Sequence, residues 1–540
     1  MILIKMNSKI NELPRRKQRG IQKEIRPKGR GIRPNIIPTL RFRDNSTCKL
    51  QFIPFHRDSC SLGLIKSSIS YITFLFIALL FSTGFFAATA SADFPLPSPD
   101  KIISPPLHFN LPQAQRVILE NGIVLYILED HELPLISVNA LIKSGSMYDP
   151  EGKEGVAELT AYVMRTGGTI KLSSTEIDNR FDFLAASPSI SMAMESASID
   201  FSFLSKDIDQ GLDLLAQMII QPAFEENKFI LARELLNEGL RRFKDEPQRL
   251  AFREFNRLIY RNNPRGRFAS MKSLSKIERD DLIIFHKQFF SPDKIMFAVT
   301  GDITKEQAVN KINQYFGKWK TNEHATRIPD LPQKTKGGLY FINKEIPQST
   351  IICGELSVSK NNPDFYAFTL LDFIIGSGGF PSLIFSAVRN NEGLAYSAGS
   401  FYRAKPNYGI FGAYAFTKTE SSFKTLNLIN SVLKKAKLNT ITAKEIDWAK
   451  KSINNGFIFS FLEPKQIALQ QMKLEYDQLP HDYLLSYRDK IEKVKASDLN
   501  RVASKYLDEN DRVFLILGDT KGFSEPPIGI GKPIVINPED

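Results

Sequence analysis

Two stretches of this 540-residue sequence decide its fold: IMFAVTGD at residues 295–302 and RVFLILGD at residues 512–519. Each is an apolar run of strand length that ends in Gly-Asp, and each follows an amphipathic segment of helical periodicity, at residues 274–290 and 494–507. The distance along the chain from Asp302 to Asp519 is called the repeat interval below. A self-similar unit at this interval predicts two copies of one domain of about 200 residues each.

The patterns inside the first copy predict its secondary structure. Asn121-Gly122, flanked by β-branched residues, is a strong turn signal and predicts a hairpin over residues 116–128. Further strand patterns occur at residues 135–142, 189–196 and 198–204, and helical periodicity occurs at 154–165, 174–184, 207–219, 224–243 and 277–289. The expected fold class is α+β, with two homologous domains that each pack helices on a largely antiparallel β-sheet.

The duplication also predicts the domain boundaries. Polar residues with two prolines and a Gly-Gly pair separate the copies at 321–338 and predict a linker. We expect a Pro-rich lead-in at 93–113, an N-terminal domain at 114–320, a C-terminal domain at 339–525 and a tail at 526–540.

The N-terminal segment, residues 1–92, predicts export. Residues 1–69 form a basic leader without periodicity, which we expect to be disordered, and residues 70–92 have the build of a signal-peptide core. The apolar run at 71–86 ends in small residues with Ala-Ser-Ala at 90–92, which is typical of a cleavage site. The run is shorter than the ~20 residues that cross a bilayer, which favours cleavage, with an inner-membrane anchor at 70–90 as the alternative. We expect a periplasmic location.

Charge and cysteine content exclude two other classes of protein. The net charge is +12, but residues 1–92 hold 16 Lys and Arg against 4 Asp and Glu, and the remaining residues hold 55 of each. The basic charge therefore belongs to the leader and gives no indication of nucleic-acid binding. Cys48 and Cys60 also lie in the leader, so cleavage leaves Cys353 alone and no intrachain disulfide framework.

Short motifs in a fixed order carry a family resemblance. They are LENGIVL at 119–125, GVA at 155–157, GGT at 167–169, PQSTI at 347–351 and RNNEGLAYS at 389–397. In this order the chain resembles the pitrilysin/insulinase-type (M16) metallopeptidases. The resemblance implies that the two domains form half of a clamshell peptidase chamber.

The metal motif of that family is absent here. The family places H-x-x-E-H on a helix, where two histidines four residues apart bind zinc, the glutamate activates water, and a glutamate about 77 residues further on is the third ligand. The matching positions hold Glu158, Ala161 and Tyr162, and the distal position is Gly239, with Glu238 beside it. We therefore expect a degenerate metal site, and we interpret Glu158 and Glu238 as solvated or ion-paired helix residues.

Other residues do not rebuild a zinc site. Two carboxylates without nitrogen or sulfur ligands suit zinc poorly. No two histidines are spaced two to four residues apart among positions 56, 108, 131, 286, 324 and 481. The sequence predicts no metal and no other cofactor on this chain.

A second motif of the family is retained. The resemblance implies that an arginine and a tyrosine of the later domain hold substrate and stabilise the oxyanion of the transition state, and Arg389 and Tyr396 match them with the family's seven-residue separation. Without the resemblance, Arg389 would be interpreted as a surface ion-pair residue and Tyr396 as a core aromatic.

Loss of one half-site and retention of the other suggest a hypothesis. The chain would be the non-catalytic subunit of a heterodimer, inactive alone, whose H-x-x-E-H partner supplies zinc while this chain supplies Arg389 and Tyr396 to a bound peptide. The alternative is a periplasmic peptide-binding or scaffold protein with no part in hydrolysis. The glycine-rich residues 376–382 lack the lysine of a phosphate-binding loop, and no G-x-S-x-G elbow indicates a serine hydrolase.

Overall fold

A computed structural model describes residues 110–322, 327–334, 336–524 and 531–538. The predicted leader with Cys48 and Cys60, the signal segment and all of the lead-in before residue 110 lie outside the described residues. Among the helices of the described ranges, none is long and apolar enough to cross a membrane.

The first half of the described chain contains one six-stranded sheet in the order β1-β2-β6-β3-β5-β4. Its neighbouring strands are antiparallel except β2 and β6, which are parallel. The predicted hairpin is present, because β1 pairs with β2 across a turn in which Gly122 has a φ of 94°. The strands are β1 Gln115–Ile118, β2 Val124–Glu129, β3 Leu135–Ile142, β4 Ser189–Met192, β5 Ala197–Leu204 and β6 Ile295–Gly301.

The helices of the first half follow the predicted periodicity and add three that the sequence reasoning missed, α5, α6 and α8. They are α1 Val156–Thr166, α2 Ser174–Phe183, α3 Ile208–Ile220, α4 Glu226–Phe243, α5 Pro247–Tyr260, α6 Met271–Leu274, α7 Arg279–Phe289 and α8 Lys305–Phe316.

The second half repeats this sheet in the order β12-β7-β11-β8-β10-β9. Strand β11 takes the place of β6 and is parallel to β7 and antiparallel to β8. The strands are β7 Gly338–Asn343, β8 Gln348–Ser357, β9 Ala395–Ala404, β10 Gly409–Lys418, β11 Val513–Gly518 and β12 Ile534–Val535.

The helices of the second half include two π-helical segments. Phe373–Ser377 continues α9, and Ser386–Asn391 continues α10. The helices are α9 Phe365–Asp372, α10 Leu383–Phe385, α11 Ser422–Ala436, α12 Ala443–Phe457, α13 Pro464–Tyr476, α14 Tyr483–Glu492 and α15 Ala496–Tyr506.

The two sheets confirm the predicted fold class, since five of the six strands follow the same order and helices pack on both sheets. Only the edge strand differs, because β12 follows β11 in the chain and is parallel to β7, whereas β1 is antiparallel to β2. The repeat extends well beyond Gly-Asp, because α12, α13 and α15 each begin exactly one repeat interval after α4, α5 and α7. The predicted linker, residues 321–338, runs up to β7 and overlaps it by one residue, because β7 begins at Gly338.

Each half also covers the sheet of the other half. Helix α5 packs on β8 and β11 through a cluster that includes Leu250 and Phe255, and α13 packs Ala468 and Met472 on β2 and β6. The central strands β6 and β11 are therefore buried on both faces, which explains why the two stretches that define the repeat are continuous apolar runs.

Candidate functional site

Helix α1 carries the positions that match the metal motif. Its first turn is held by the buried Asp149, whose carboxylate accepts hydrogen bonds from the backbone N–H groups of Gly155 and Ala157, both at 2.8 Å. Gly155 has a φ of 112°, and a Cβ there would lie 2.6 Å from Leu274, so glycine is required at this turn. Burial raises the pKa of Asp149 to about 7. Helix α1 packs on α4, which carries the distal position.

The structure places these positions at the surface, with one exception. Glu158 and Tyr162 lie one turn apart on the exposed side of α1, whereas Ala161 is buried. Nearby protein desolvates Glu158 and raises its pKa. Gly239 is exposed on α4, and a Cβ built there would meet nothing within 4 Å.

These residues do not fit a zinc ion. The four positions offer one carboxylate, one methyl group, one phenol and no side chain, while structural and catalytic zinc sites draw on imidazole or thiolate ligands. Within the described ranges, no group of three His, Cys, Asp or Glu residues could hold a metal ion.

The neighbouring acid Glu238 and two of the described histidines, His131 and His286, have structural partners instead. Glu238 accepts from Arg242 at 2.8 Å and lies 3.7 Å from Arg241, as expected for an ion-paired helix residue. His286 is buried, and its Nε2 donates to the carbonyl of Ile219. His131 Nδ1 lies 2.8 Å from Asp302.

Arg389 and Tyr396 are brought together at the surface of the second half. Arg389 lies in the π-helical segment after α10, and Tyr396 is the second residue of β9. The Arg389 guanidinium carbon lies 4.8 Å from the centre of the Tyr396 ring, and its Nη1 donates to the Tyr396 carbonyl at 3.0 Å. The pair is thus fixed by two contacts, a cation–π contact and a hydrogen bond.

Two further aromatic rings hold the same guanidinium, and sequence reasoning missed both. Its carbon lies 4.9 Å from the centre of the Phe385 ring and 5.5 Å from that of Phe380. Phe380 follows the glycine-rich turn, so an aromatic residue next to that turn was the available signal.

The support beneath this group is closely packed and hydrogen-bonded. Gly376 approaches β9 so closely that a Cβ there would lie 2.3 Å from the backbone nitrogen of Ser400. The Ser400 hydroxyl donates to the buried Asp372 at 2.6 Å, and burial raises the pKa of Asp372 to about 6. The glycine-rich turn therefore packs against the strand that carries Tyr396.

The exposed fractions decide how Tyr396 is interpreted. Its side chain is 80% exposed, which excludes a core aromatic, and none of the described residues hydrogen-bonds to its hydroxyl. Arg389 has no carboxylate within ion-pair distance in the described part of the chain, which excludes the surface ion pair. No hydrogen bond, ion pair or ring contact among described residues joins Arg389 or Tyr396 to Glu158 or Tyr162.

Comparisons with known proteins identify the family of the chain. A family model described as "Insulinase (Peptidase family M16)" matches residues 126–271, and one described as "Peptidase M16 inactive domain" matches residues 276–453. Together they span more than half of the chain.

Curated relatives cover most of the same region. An "Uncharacterized zinc protease" of Rickettsia bellii is 23% identical over 400 residues, which are 72% of this chain and 93% of the relative. A "Non-peptidase homolog YmxG" of Helicobacter pylori is 22% identical over 402 residues, or 73% of this chain and 91% of that protein.

Solved structures show the same fold. The peptidase M16 inactive domain from Pseudomonas fluorescens superposes with a TM-score of 0.70 at 23% identity, covering 77% of this chain and 99% of that one. The periplasmic protease PqqL from Escherichia coli gives a TM-score of 0.65 at 15% identity, covering 78% of this chain and 49% of that one.

Proposed function

Because the chain belongs to peptidase family M16, the insulinase family, we propose that it is a zinc-less, non-catalytic member that completes the peptidase site of a partner subunit. The partner carries H-x-x-E-H and the zinc ion, and the heterodimer encloses an unfolded peptide between its two halves. This chain alone hydrolyses no peptide, since its metal positions hold Glu158, Ala161, Tyr162 and Gly239.

One observation carries the proposal: Arg389 and Tyr396 are held together as a pre-positioned pair, and apart from the bond between Arg389 Nη1 and the Tyr396 carbonyl, no hydrogen bond among the described residues engages the guanidinium or the phenol. The Tyr396 ring is 80% exposed, and three aromatic rings surround the Arg389 guanidinium. Donors fixed before the reaction stabilise developing negative charge without a reorganisation cost. Guanidinium and phenol groups are long donors that can reach the peptide carbonyl in a facing subunit.

Export to the periplasm is part of the proposal. The apolar run at 71–86 and Ala-Ser-Ala at 90–92 support it, and they lie outside the described residues. The solved relative PqqL is itself named a periplasmic protease.

The test reconstitutes the mature chain with an H-x-x-E-H family member from the same source and follows cleavage of a quenched fluorescent peptide. Tyr396→Phe keeps the ring that stacks on Arg389 and removes only the hydroxyl. Loss of one such donor should lower kcat by about 10²–10³-fold. Arg389→Lys keeps the charge but loses the planar fork, and we expect a loss of similar size.

A matched control removes a hydroxyl elsewhere. Tyr315 in α8 donates to Asp209 at 2.8 Å, and Tyr315→Phe should leave kcat unchanged. Dimer formation, measured by light scattering, should be the same for all variants. Full activity of Tyr396→Phe and Arg389→Lys in an intact heterodimer would contradict the proposal and favour the scaffold alternative, and zinc-dependent cleavage by the chain alone would contradict both.

A further inference from the structure

Helix α5 carries arginine at every fourth position. Arg249, Arg253 and Arg257 lie in the helix, and Arg261 follows as its C-terminal cap. Residues four apart share one face of a helix, so the four side chains form a stripe.

The duplicate of this helix shows that the stripe is not needed for the fold. Helix α13 begins with the same Glu-Pro pair one repeat interval later and covers the opposite sheet in the same manner. At the four positions of the stripe it has Gln466, Gln470, Leu474 and Gln478. The backbone after the two helices also matches, since Arg261 and Gln478, one repeat interval apart, have φ values of 38° and 53°. The architecture that the two helices share therefore does not by itself require arginine at these positions.

An open surface cavity of about 440 Å³ lies beside the first two arginines. Three phenyl rings form its apolar wall: Phe243, Phe252 and Phe268. The Phe252 ring contacts Phe401 at 5.7 Å between centres, which places the cavity over the face of the second sheet that α5 covers. The segment with Arg389 packs on the opposite face, through Val388 in the other core cluster.

The polar wall of the cavity consists of Gln248, Arg249, Arg253 and Asn256, and no carboxylate of the described residues lines it. The guanidinium carbons of Arg249 and Arg253 lie 4.9 and 4.7 Å from the centre of the Phe243 ring. Both charged groups are thus held against one aromatic side chain at the edge of the cavity.

The surrounding charge is positive. Glu246 pairs with Arg249 at 2.9 Å, and both side chains are largely exposed. The buried Glu254 is shared by Arg253 at 3.1 Å and Arg257 at 3.5 Å. Neither carboxylate saturates the donors of its arginine, because a guanidinium has five N–H groups. A further arginine, Arg403, stacks on Phe401 at 4.9 Å.

We propose that this cavity binds a carboxylate attached to an aromatic or aliphatic group, as in the C-terminal residue of a peptide. The forked guanidiniums of Arg249 and Arg253 bind the carboxylate, and the three phenyl rings receive the side chain of the terminal residue. Binding at this face needs neither the zinc partner nor Arg389, so the site is separate from the one proposed above.

The test uses the purified mature chain alone and an acetylated tetrapeptide that ends in phenylalanine. Calorimetry compares the free C-terminal acid with the C-terminal amide of the same peptide. We expect the acid to bind at least about tenfold more tightly, and its affinity to fall as sodium chloride is raised.

Arg249→Gln/Arg253→Gln introduces the residues that α13 has at these positions, so the variant should fold, and circular dichroism checks this. It should bind the free acid at least about tenfold more weakly. The control Lys424→Gln/Lys451→Gln removes the same charge from two exposed ion pairs and should bind as the unchanged chain does. Equal affinity for acid and amide, or undiminished binding by the arginine variant, would overturn the proposal. Binding of phosphatidylglycerol vesicles without binding of the peptide acid would also overturn it, in favour of a membrane surface.

Discussion

Arg512 and Glu355 form an ion pair in the interior of the second half, and its replacement gives a quantitative test. Arg512 Nε and Nη2 each donate to a different oxygen of Glu355 at 2.8 Å, and the two side chains are 1% and 0% exposed. Burial raises the pKa of Glu355 even though Arg512 is adjacent. The ion pair therefore does not fully offset the cost of desolvating the carboxylate.

The first half shows what the same position accepts without charge. Arg512 lies one repeat interval after Ile295, which pairs with Ile142 across β3 and β6. Glu355 is the residue of β8 opposite Arg512, so an ion pair in one copy corresponds to an Ile-Ile pair in the other. An apolar pair is compatible with this sheet.

Single replacements should be far more costly than the double replacement. Arg512→Met or Glu355→Leu leaves one buried charge without a partner and should lower the free energy of unfolding by about 3–5 kcal/mol. Arg512→Met/Glu355→Leu should lie within about 2 kcal/mol of the unchanged chain, because it removes both charges at similar volume. Additive effects would instead give a loss of about 6–10 kcal/mol.

Urea unfolding measures this difference in the half that carries the pair. The chain has two tryptophans, Trp319 and Trp448, so Trp319→Phe leaves Trp448 as the reporter of the second half. As a control, Lys451→Met breaks the exposed ion pair with Asp447 and should cost at most about 1 kcal/mol. A double variant that loses the sum of the two single effects would refute the reasoning.

Two further predictions concern a buried histidine and the degenerate metal site. Burial lowers the pKa of His286 to about 4, so the unfolded chain binds the proton first, and the free energy of unfolding should fall by about 3 kcal/mol as the pH drops from 6.5 to 4. Chemical unfolding at a series of pH values should show a weaker dependence of this free energy on pH for His286→Gln, and an unchanged dependence would contradict the prediction. The triple variant Glu158→His/Tyr162→His/Gly239→Glu should bind one zinc ion per chain, as measured by atomic absorption. A control with Gly239→Ala in place of Gly239→Glu should bind zinc at least about tenfold more weakly. Absence of zinc from both variants would show that α1 and α4 have lost the family's spacing.

Much of the fold could be predicted because local signals and tertiary packing agree. Strand β3 has the predicted bounds, residues 135–142, and the helices from α1 to α4 begin within two residues of their predicted starts. Their apolar residues recur at the helical period because one face of each helix packs on the sheet. The Gly-Asp repeat was informative because β6 and β11 are each covered on both faces.

The elements that cross between the halves could not be predicted from local patterns. Helix α5 was missed although Pro247 at its first turn is a start signal, and no pattern within it indicates that its partner is the sheet of the other half. Phe380 and Phe385 were missed for another reason. The glycine-rich turn drew attention to Phe380, but the contact of both rings with Arg389 depends on π-helical turns that sequence periodicity does not show.

Comparison of equivalent positions in the two halves distinguishes residues that the shared fold requires from residues that occur in one half only. From α4 to β6 and from α12 to β11, elements recur at one repeat interval on the same backbone, so a residue there that differs in chemistry between the copies is not dictated by the architecture. The arginines of α5 correspond to glutamines and a leucine in α13, and Arg512 corresponds to Ile295. Arg249 and Arg253 differ from Arg512 in one physical respect: they line an open surface cavity, while Arg512 is buried in an ion pair with Glu355. A ligand can reach the first group and not the second, so among these charged differences the stripe on α5 is the one available for recognition.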